Sequence, residues 1–263
     1  MLAAGGGYRV RPARPMNLLL LDPGELDGGR ARLSGRRAAH LIEVLGVTPG
    51  AAVRAGVVGA GVGLATVVAV TADGAVDVEV ECAGPPPARV PVALVLAVPR
   101  PKVLTRVLET AAAFGVERLD LVNAWRVDKA YLDSPRLAPE ALLEAVRLGA
   151  EQGAQTHLPE VRLHRRLMAY FDARAAGPPA LGPALCAHPR AAVGMGAVSL
   201  AGAGPDAPAT LAIGPEGGWI LREVDTFAAR GFQVVALGTP ILRVEAAVAA
   251  ALGQLTLRLG GAG

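Results

Sequence analysis

Apolar positions follow two regimes along the chain. Before residue 82 they come in short runs rich in valine and glycine: "AAVRAGVV", "GLATVVAV" and "AVDVEVE". "VDVEV" (Val76 to Val80) alternates apolar and acidic residues with period two, the pattern of a half-buried strand. One stretch, "RRAAHLIEVLGV", has helical spacing and stops near Thr48-Pro49-Gly50. These features predict a small β-barrel with one helix. "CAGPPPARVPV" (Cys82 to Val92) then interrupts the pattern, because consecutive prolines continue neither a strand nor a helix. The expected boundary falls there, with one domain over 1–84 and a second over 89–263.

Beyond the prolines, "VALVLAV" (Val92 to Val98) is an unbroken apolar run, as expected of a strand covered on both faces. "PKVLTRVLETAAAFG" follows with helical spacing and a glycine stop at Gly115. "RLDLV", "ALCA", "TLAI" and "VVAL" read as further strands, and "PEALLEAVRLGAEQ", "ILREVDTFAARG" and "RVEAAVAAALGQLTLRL" as helices. Strands alternating with helices predict an α/β domain with a mostly parallel sheet. Gly5 to Gly7 and Gly260 to Gly263 are expected to be disordered.

Composition adds little to the fold but bears on partners. The 263 residues are 52% hydrophobic and only 3% aromatic, so alanine, valine and leucine must fill the core. Lys102 and Lys129 are the only lysines, and the net charge is +3. From Met1 to His40, seven arginines face Asp22, Glu25 and Asp27. A basic end on a near-neutral body fits either a polyanion held at that end or a solvated arginine-rich face. Cys82 and Cys186 lack metal-ligand spacing and read as small core residues in a reducing compartment. No metal site is expected. "LLLL" (Leu18 to Leu21) is too short to span a bilayer and no signal-peptide pattern precedes it, so a cytoplasmic protein without membrane association is expected.

Ligands of open parallel sheets bind beyond the C-terminal strand ends. Three strands here end in unusual loops: His188-Pro189-Arg190, Gly214 to Gly218, and Gly238-Thr239-Pro240. Glycine lets a ligand approach the backbone and proline fixes the loop, so the loops could form a cleft of main-chain polar groups. Neither G-x-x-x-x-G-K nor G-x-G-x-x-G occurs. Glu216 argues against a phosphate cradle and suits a cationic ligand, or else it favours the positive end of the following helix.

"IGPEGGW" followed by "LGTPILRVEAA" resembles the signature of the SPOUT, or trefoil-knot, methyltransferases. Within them the chain is most similar to the bacterial uracil-N3 methyltransferases of small-subunit ribosomal RNA. "HLIEVLGVTPG" is similar to the helix and turn of that family's PUA-like N-terminal barrel. "VPRPKVLTRVLETAAAFGVERLDLV", "AEQGAQTHLPEV" and "AHPR" resemble its first catalytic-domain elements, its glutamate-glutamine segment and its first knot loop.

The resemblance implies a deep knot, a homodimer and an S-adenosyl-L-methionine site. His188 belongs to its first loop, and Ile213, Gly214, Pro215, Glu216, Gly217 and Gly218 to its second. Leu237, Gly238, Ile241, Leu242 and Arg243 form its third, with Leu237, Ile241 and Leu242 flanking the adenine. Glu216 lies near the positive end of the ligand or anchors its loop.

Uracil N3 is a poor nucleophile while protonated, and its loss of a proton puts negative charge on O2 and O4. A cation beside those oxygens would help. Arg243, at the start of the last helix, is the expected catalytic residue, and Glu245 either orients it or caps the helix. Glu151 is a candidate base by position, although such a residue is more commonly a helix-surface glutamate.

Ribosomal RNA, or the small ribosomal subunit, is the expected partner. Arg9, Arg11 and Arg14, and then Arg36 and Arg37, are expected to hold its phosphates. Trp125 and Tyr131 are candidates for base stacking, with burial the commoner fate of Trp125, while His40, His157 and His164 carry no motif. The chain departs from the family at Gln155 and His157, where arginine is usual, and at Val244 and Ala246, where threonines are usual. It has Trp219-Ile220 where a serine or threonine cap is frequent. These departures leave room for a paralogue acting on another RNA, or for a catalytically silent RNA-binding protein.

Overall fold

A computed structural model describes residues 18–177 and 182–260. Arg9, Arg11, Arg14 and the early glycines lie outside the described residues.

The N-terminal sheet is built from β1 (Leu19–Leu21), β2 (Arg30–Leu33), β3 (Ala52–Val57), β4 (Val62–Val70) and β5 (Val76–Glu81). Between β2 and β3 lies α1 (Gly35–Ala39), which continues into a π-helical turn, His40–Val44. The strand order is β1-β3-β4-β5-β2, with β1 parallel to β3 and the other pairings antiparallel. The alternation of "VDVEV" is realised: Val76 and Val78 are buried and Glu79 is exposed. With Leu19, Leu21, Leu33, Leu41 and Val67 they form this sheet's core.

After the prolines come β6 (Val90–Ala97), α2 (Pro101–Ala113), β7 (Val116–Val122), α3 (Lys129–Leu132), α4 (Pro139–Gly153) and β8 (Glu160–His164). Then follow α5 (Leu167–Ala175), β9 (Ala184–Ala187), β10 (Ala209–Ile213), α6 (Leu221–Ala229), β11 (Gln233–Val235) and α7 (Val244–Leu259). The second sheet has the order β11-β9-β10-β6-β7-β8, and every pairing in it is parallel. All side chains from Val92 to Val98 are buried, so β6 is covered on both faces as its unbroken apolar run implies. α2 packs on α4 and α7, and α7 lies on β6 and β10. α5 and α6 meet through Phe171 and Phe227, whose rings are 5.1 Å apart.

β8 and α5 carry no expectation from the sequence. Glu160 and Arg162 on β8 are exposed and pair with each other at 2.6 Å, as an edge strand permits, and this masks its apolar alternation. The crossing of α2 and α4 requires glycine: a Cβ on Gly149 would sit 2.1 Å from the Glu109 carbonyl oxygen, and one on Gly153 2.3 Å from that of Ala113.

The two sheets meet along α4. Leu18 and Leu20 pack on Ala150, and the Leu18 amide donates to the Glu151 carbonyl at 2.9 Å. The Thr156 hydroxyl donates to the Ala60 carbonyl at 2.6 Å. Arg36 pairs with Glu144 at 3.3 Å and Glu151 at 3.2 Å. Glu151 is therefore not a surface glutamate; its side chain is 7% exposed, enclosed where the N-terminal sheet meets α4. Burial raises its carboxyl above the ordinary value, and the nearby arginines offset this only in part.

Candidate functional site

β11, β9 and β10 are adjacent and parallel, so their C-terminal ends open on one rim of the sheet. The three loops expected to form a cleft leave from those ends. Main-chain bonds tie the first loop to the third: the His188 amide donates to the Val235 carbonyl at 2.9 Å, and the Met195 amide to that of Ala236 at 2.8 Å. The His188 ring shapes its own loop, its Nδ1 lying 3.2 Å from the Arg190 amide.

In the second loop, Gly218 closes a turn by donating to the Pro215 carbonyl at 2.7 Å, with a φ of +71° that L side chains rarely adopt. The Glu216 carboxylate accepts the Arg100 amide at 3.0 Å, binding this loop to the one that leaves β6. Arg126 donates to the Gly217 carbonyl from the loop that leaves β7. Trp219 turns inward, is 3% exposed and packs on Phe227 at 4.9 Å.

No side chain at Ile220 caps α6. Glu223 does so from within the helix: one carboxylate oxygen accepts the Ile220 amide at 3.0 Å and the other the Trp125 amide at 2.8 Å. This buried carboxylate joins two loops. Its only signal in the sequence is its place three residues after a missing cap.

The third loop is held from behind, where the Gln254 side chain on α7 donates to the Leu237 carbonyl at 3.0 Å. Leu237 and Leu242 are half-buried, while Gly238 and Arg243 are exposed and Ile241 is 86% exposed. Arg243 is the residue before α7 and, among the described residues, forms no ion pair. Glu245 sits in the first turn of α7 and lines a groove of about 620 Å³ with Arg106, Glu109 and Gln152.

These residues fit a flat, partly apolar cation such as S-adenosyl-L-methionine. A Cβ placed on Gly218 would meet nothing within 4 Å, and one on Gly238 only Pro240 at 3.6 Å, so room remains beside the main chain. Ile213 and Pro215 are buried beneath the second loop, and Leu237, Ile241 and Leu242 offer hydrocarbon beside the third. Among the described residues no group of three or more histidine, cysteine or acidic side chains is placed to hold a metal ion, and no helix is long and apolar enough to cross a membrane.

Several sequence expectations fall elsewhere. Trp125 is not buried; its side chain stands 79% exposed, and Glu223 ties its main chain to the loop at the rim. Tyr131 is half-buried against the core. Glu151, the candidate base, is committed to Arg36 at the junction of the two sheets. Arg37 is likewise committed, to Glu25 and to the Leu20 carbonyl, and the Glu25 carboxyl is held below its ordinary value by that arginine. His157 lies 3.2 Å from the Glu117 carbonyl and His164 2.8 Å from Asp120, so both have structural partners.

Residues 86–256 match the family described as an RNA methyltransferase domain. A ribosomal RNA small subunit methyltransferase E from Treponema pallidum (strain Nichols) is 29% identical over 90% of this chain and 89% of its own length. A crystal structure of a ribosomal RNA small subunit methyltransferase E from Neisseria gonorrhoeae bound to S-adenosyl methionine superposes with a TM-score of 0.73. The two are 23% identical over 92% of this chain and 98% of that one. A protein of Legionella pneumophila, solved in complex with S-adenosyl methionine, gives a TM-score of 0.69 at 22% identity, over 92% of this chain and 98% of that one.

Proposed function

Because the chain belongs to the RNA methyltransferase family, we propose that it methylates N3 of a specific uridine in small-subunit ribosomal RNA, with S-adenosyl-L-methionine as donor. The observation that carries this reading is the convergence of three loops of nearly bare main chain on one rim, with the uncommitted Arg243 beside them. The names of the relatives support the choice of ribosomal RNA and of donor.

The donor supplies an electrophilic methyl group on a positively charged sulfur. Gly218 and Gly238 would admit it to the main chain, Gly214 and Gly217 let Trp219 and Arg126 pack against the second loop, and Leu237, Ile241 and Leu242 would flank its adenine. Glu216 holds the second loop to Arg100, and its negative charge would favour a cationic donor beside that loop. His188 keeps the first loop in register with the third.

The uracil N3 proton is lost to solvent or to the RNA. Arg243 would then neutralise the charge on O2 and O4, leaving the N3 lone pair free to accept the methyl group that the donor would supply. Glu245 favours the positive end of α7, which keeps Arg243 placed at the helix start.

The finer architecture belongs to the same proposal. The N-terminal sheet and helix act as a PUA-like RNA-holding module, with Arg9, Arg11 and Arg14 as its phosphate contacts. The C-terminal chain is knotted through its loops, and the protein works as a cytoplasmic homodimer. The test combines purified protein, labelled donor and small ribosomal subunits from a strain lacking the gene. Label in a single uridine, mapped by mass, is the expected result. RNA binding without label would overturn the proposal in favour of a silent binder, and label in another base would overturn the choice of N3.

A further inference from the structure

The rim of the parallel sheet divides into two chemically different halves. β11, β9 and β10 end in the glycine- and proline-rich loops already described. β6, β7 and β8 end in cations: Arg100 follows β6, Arg126 and Lys129 follow β7, and Arg165 and Arg166 follow β8. Among the described residues none of these five forms an ion pair. Of the acids near this stretch, three are taken by main-chain amides, Glu216 by that of Arg100, Asp128 by that of Ala130 and Glu223 by those of Trp125 and Ile220, and Asp133 after α3 is exposed. Most described arginines of the N-terminal part behave in the opposite way: Arg30, Arg32, Arg36 and Arg37 pair with carboxylates, and Arg54 on β3 does not.

Trp125 stands in the middle of the basic half. Its main chain is fixed by Glu223, its neighbour Arg126 holds the Gly217 carbonyl, and Asn123 bonds the Arg165 carbonyl at 3.2 Å. An aromatic face that is 79% exposed on a pinned backbone loses little freedom when something stacks on it. Unpaired cations around an exposed indole suit a single-stranded polyanion with flat bases. They do not suit a second copy of this chain, which would bring like charges together.

We infer that Trp125 is the stacking platform for an unpaired nucleotide of the RNA substrate, and that Arg126, Arg165 and Arg166 hold the phosphates on either side. This rests on the proposed RNA reading and deepens it. The RNA would lie across the exits of β6, β7 and β8 and deliver its target base to the neighbouring loops.

The chain has two tryptophans, and Trp219 is buried, so quenching of the intrinsic emission reports on Trp125. Titration of the full-length protein with a single-stranded oligouridine is expected to quench that emission, and Trp125→Phe is expected to abolish the quenching. Trp125→Ala should raise KM for small ribosomal subunits roughly tenfold, within the range of one lost base stack, with little change in kcat or in donor affinity. Trp125→Phe should restore most of that loss. Unchanged quenching in Trp125→Phe, or an unchanged KM in Trp125→Ala, would overturn the inference. So would conversion of a dimer to a monomer by Trp125→Ala, which would place a second copy on the indole. If the wild-type protein methylates nothing, the proposed reaction fails, while the quenching experiment still decides whether RNA stacks on Trp125.

Discussion

Glu216 accepts the main-chain amide of Arg100 at 3.0 Å, across two loops separated by 116 positions in the chain. A carboxylate among glycines is thus a fastener for a loop too bare to hold itself. Glu216→Ala should loosen the second loop, lowering donor affinity several-fold and folding stability by about 1 kcal/mol. Calorimetric titration with S-adenosyl methionine and urea unfolding check the two parts. An unchanged affinity would show that the loop keeps its shape without the fastener.

The glycines of this loop differ in what they require. A Cβ on Gly217 would lie 3.0 Å from the Arg126 Cδ, a movable side chain. One on Gly214 would lie 3.0 Å from the Trp219 main-chain nitrogen, which cannot yield in the same way. Gly218 needs its positive φ, and alanine there costs roughly 1–2 kcal/mol. Gly214→Ala and Gly218→Ala should each weaken donor binding by tenfold or more, and Gly217→Ala should weaken it much less. Isothermal titration of the three variants gives the order.

Arg243 should act on the reacting base and not on the donor. Arg243→Ala is expected to lower kcat by about 10²-fold. Donor affinity should change less than threefold, and Arg243→Lys should recover part of the rate. A large loss of donor affinity with kcat preserved would reject the role.

Glu151 gives a pH dependence whose sign follows from burial. Its folded value is raised above the ordinary 4.5, so the folded chain holds a proton that the unfolded chain has already released. Its contribution is therefore favourable in acid and is lost as pH rises through the raised value. Glu151→Gln should match the wild type below pH 4.5 and equal or exceed its stability at neutral pH. Urea unfolding across that range checks this, and a variant clearly less stable at neutral pH would show that the Arg36 pair outweighs the cost of burial.

What could be read without coordinates was whatever rests on local pattern. The "VALVLAV" run requires cover on two faces, and β6 has it. The glycine and proline loops mark strand ends, and they do lie on one rim. What could not be read depends on distant partners. Glu151 is buried because Arg36, 115 positions away, reaches it. The main chain of the exposed Trp125 is tied to Glu223, 98 positions away. Arg36 and Arg37 look like free charge in a basic segment, and only the fold reveals the carboxylates that occupy them.

The bond from Gln254 to the Leu237 carbonyl makes the last helix a wall of the proposed donor pocket. β9, β10, β11 and that helix all come from the final third of the chain. During synthesis the N-terminal sheet can fold early, whereas the pocket cannot exist until Gln254 has left the translating ribosome. A nascent chain that has not yet exposed Gln254 therefore lacks the helix that backs its own third loop.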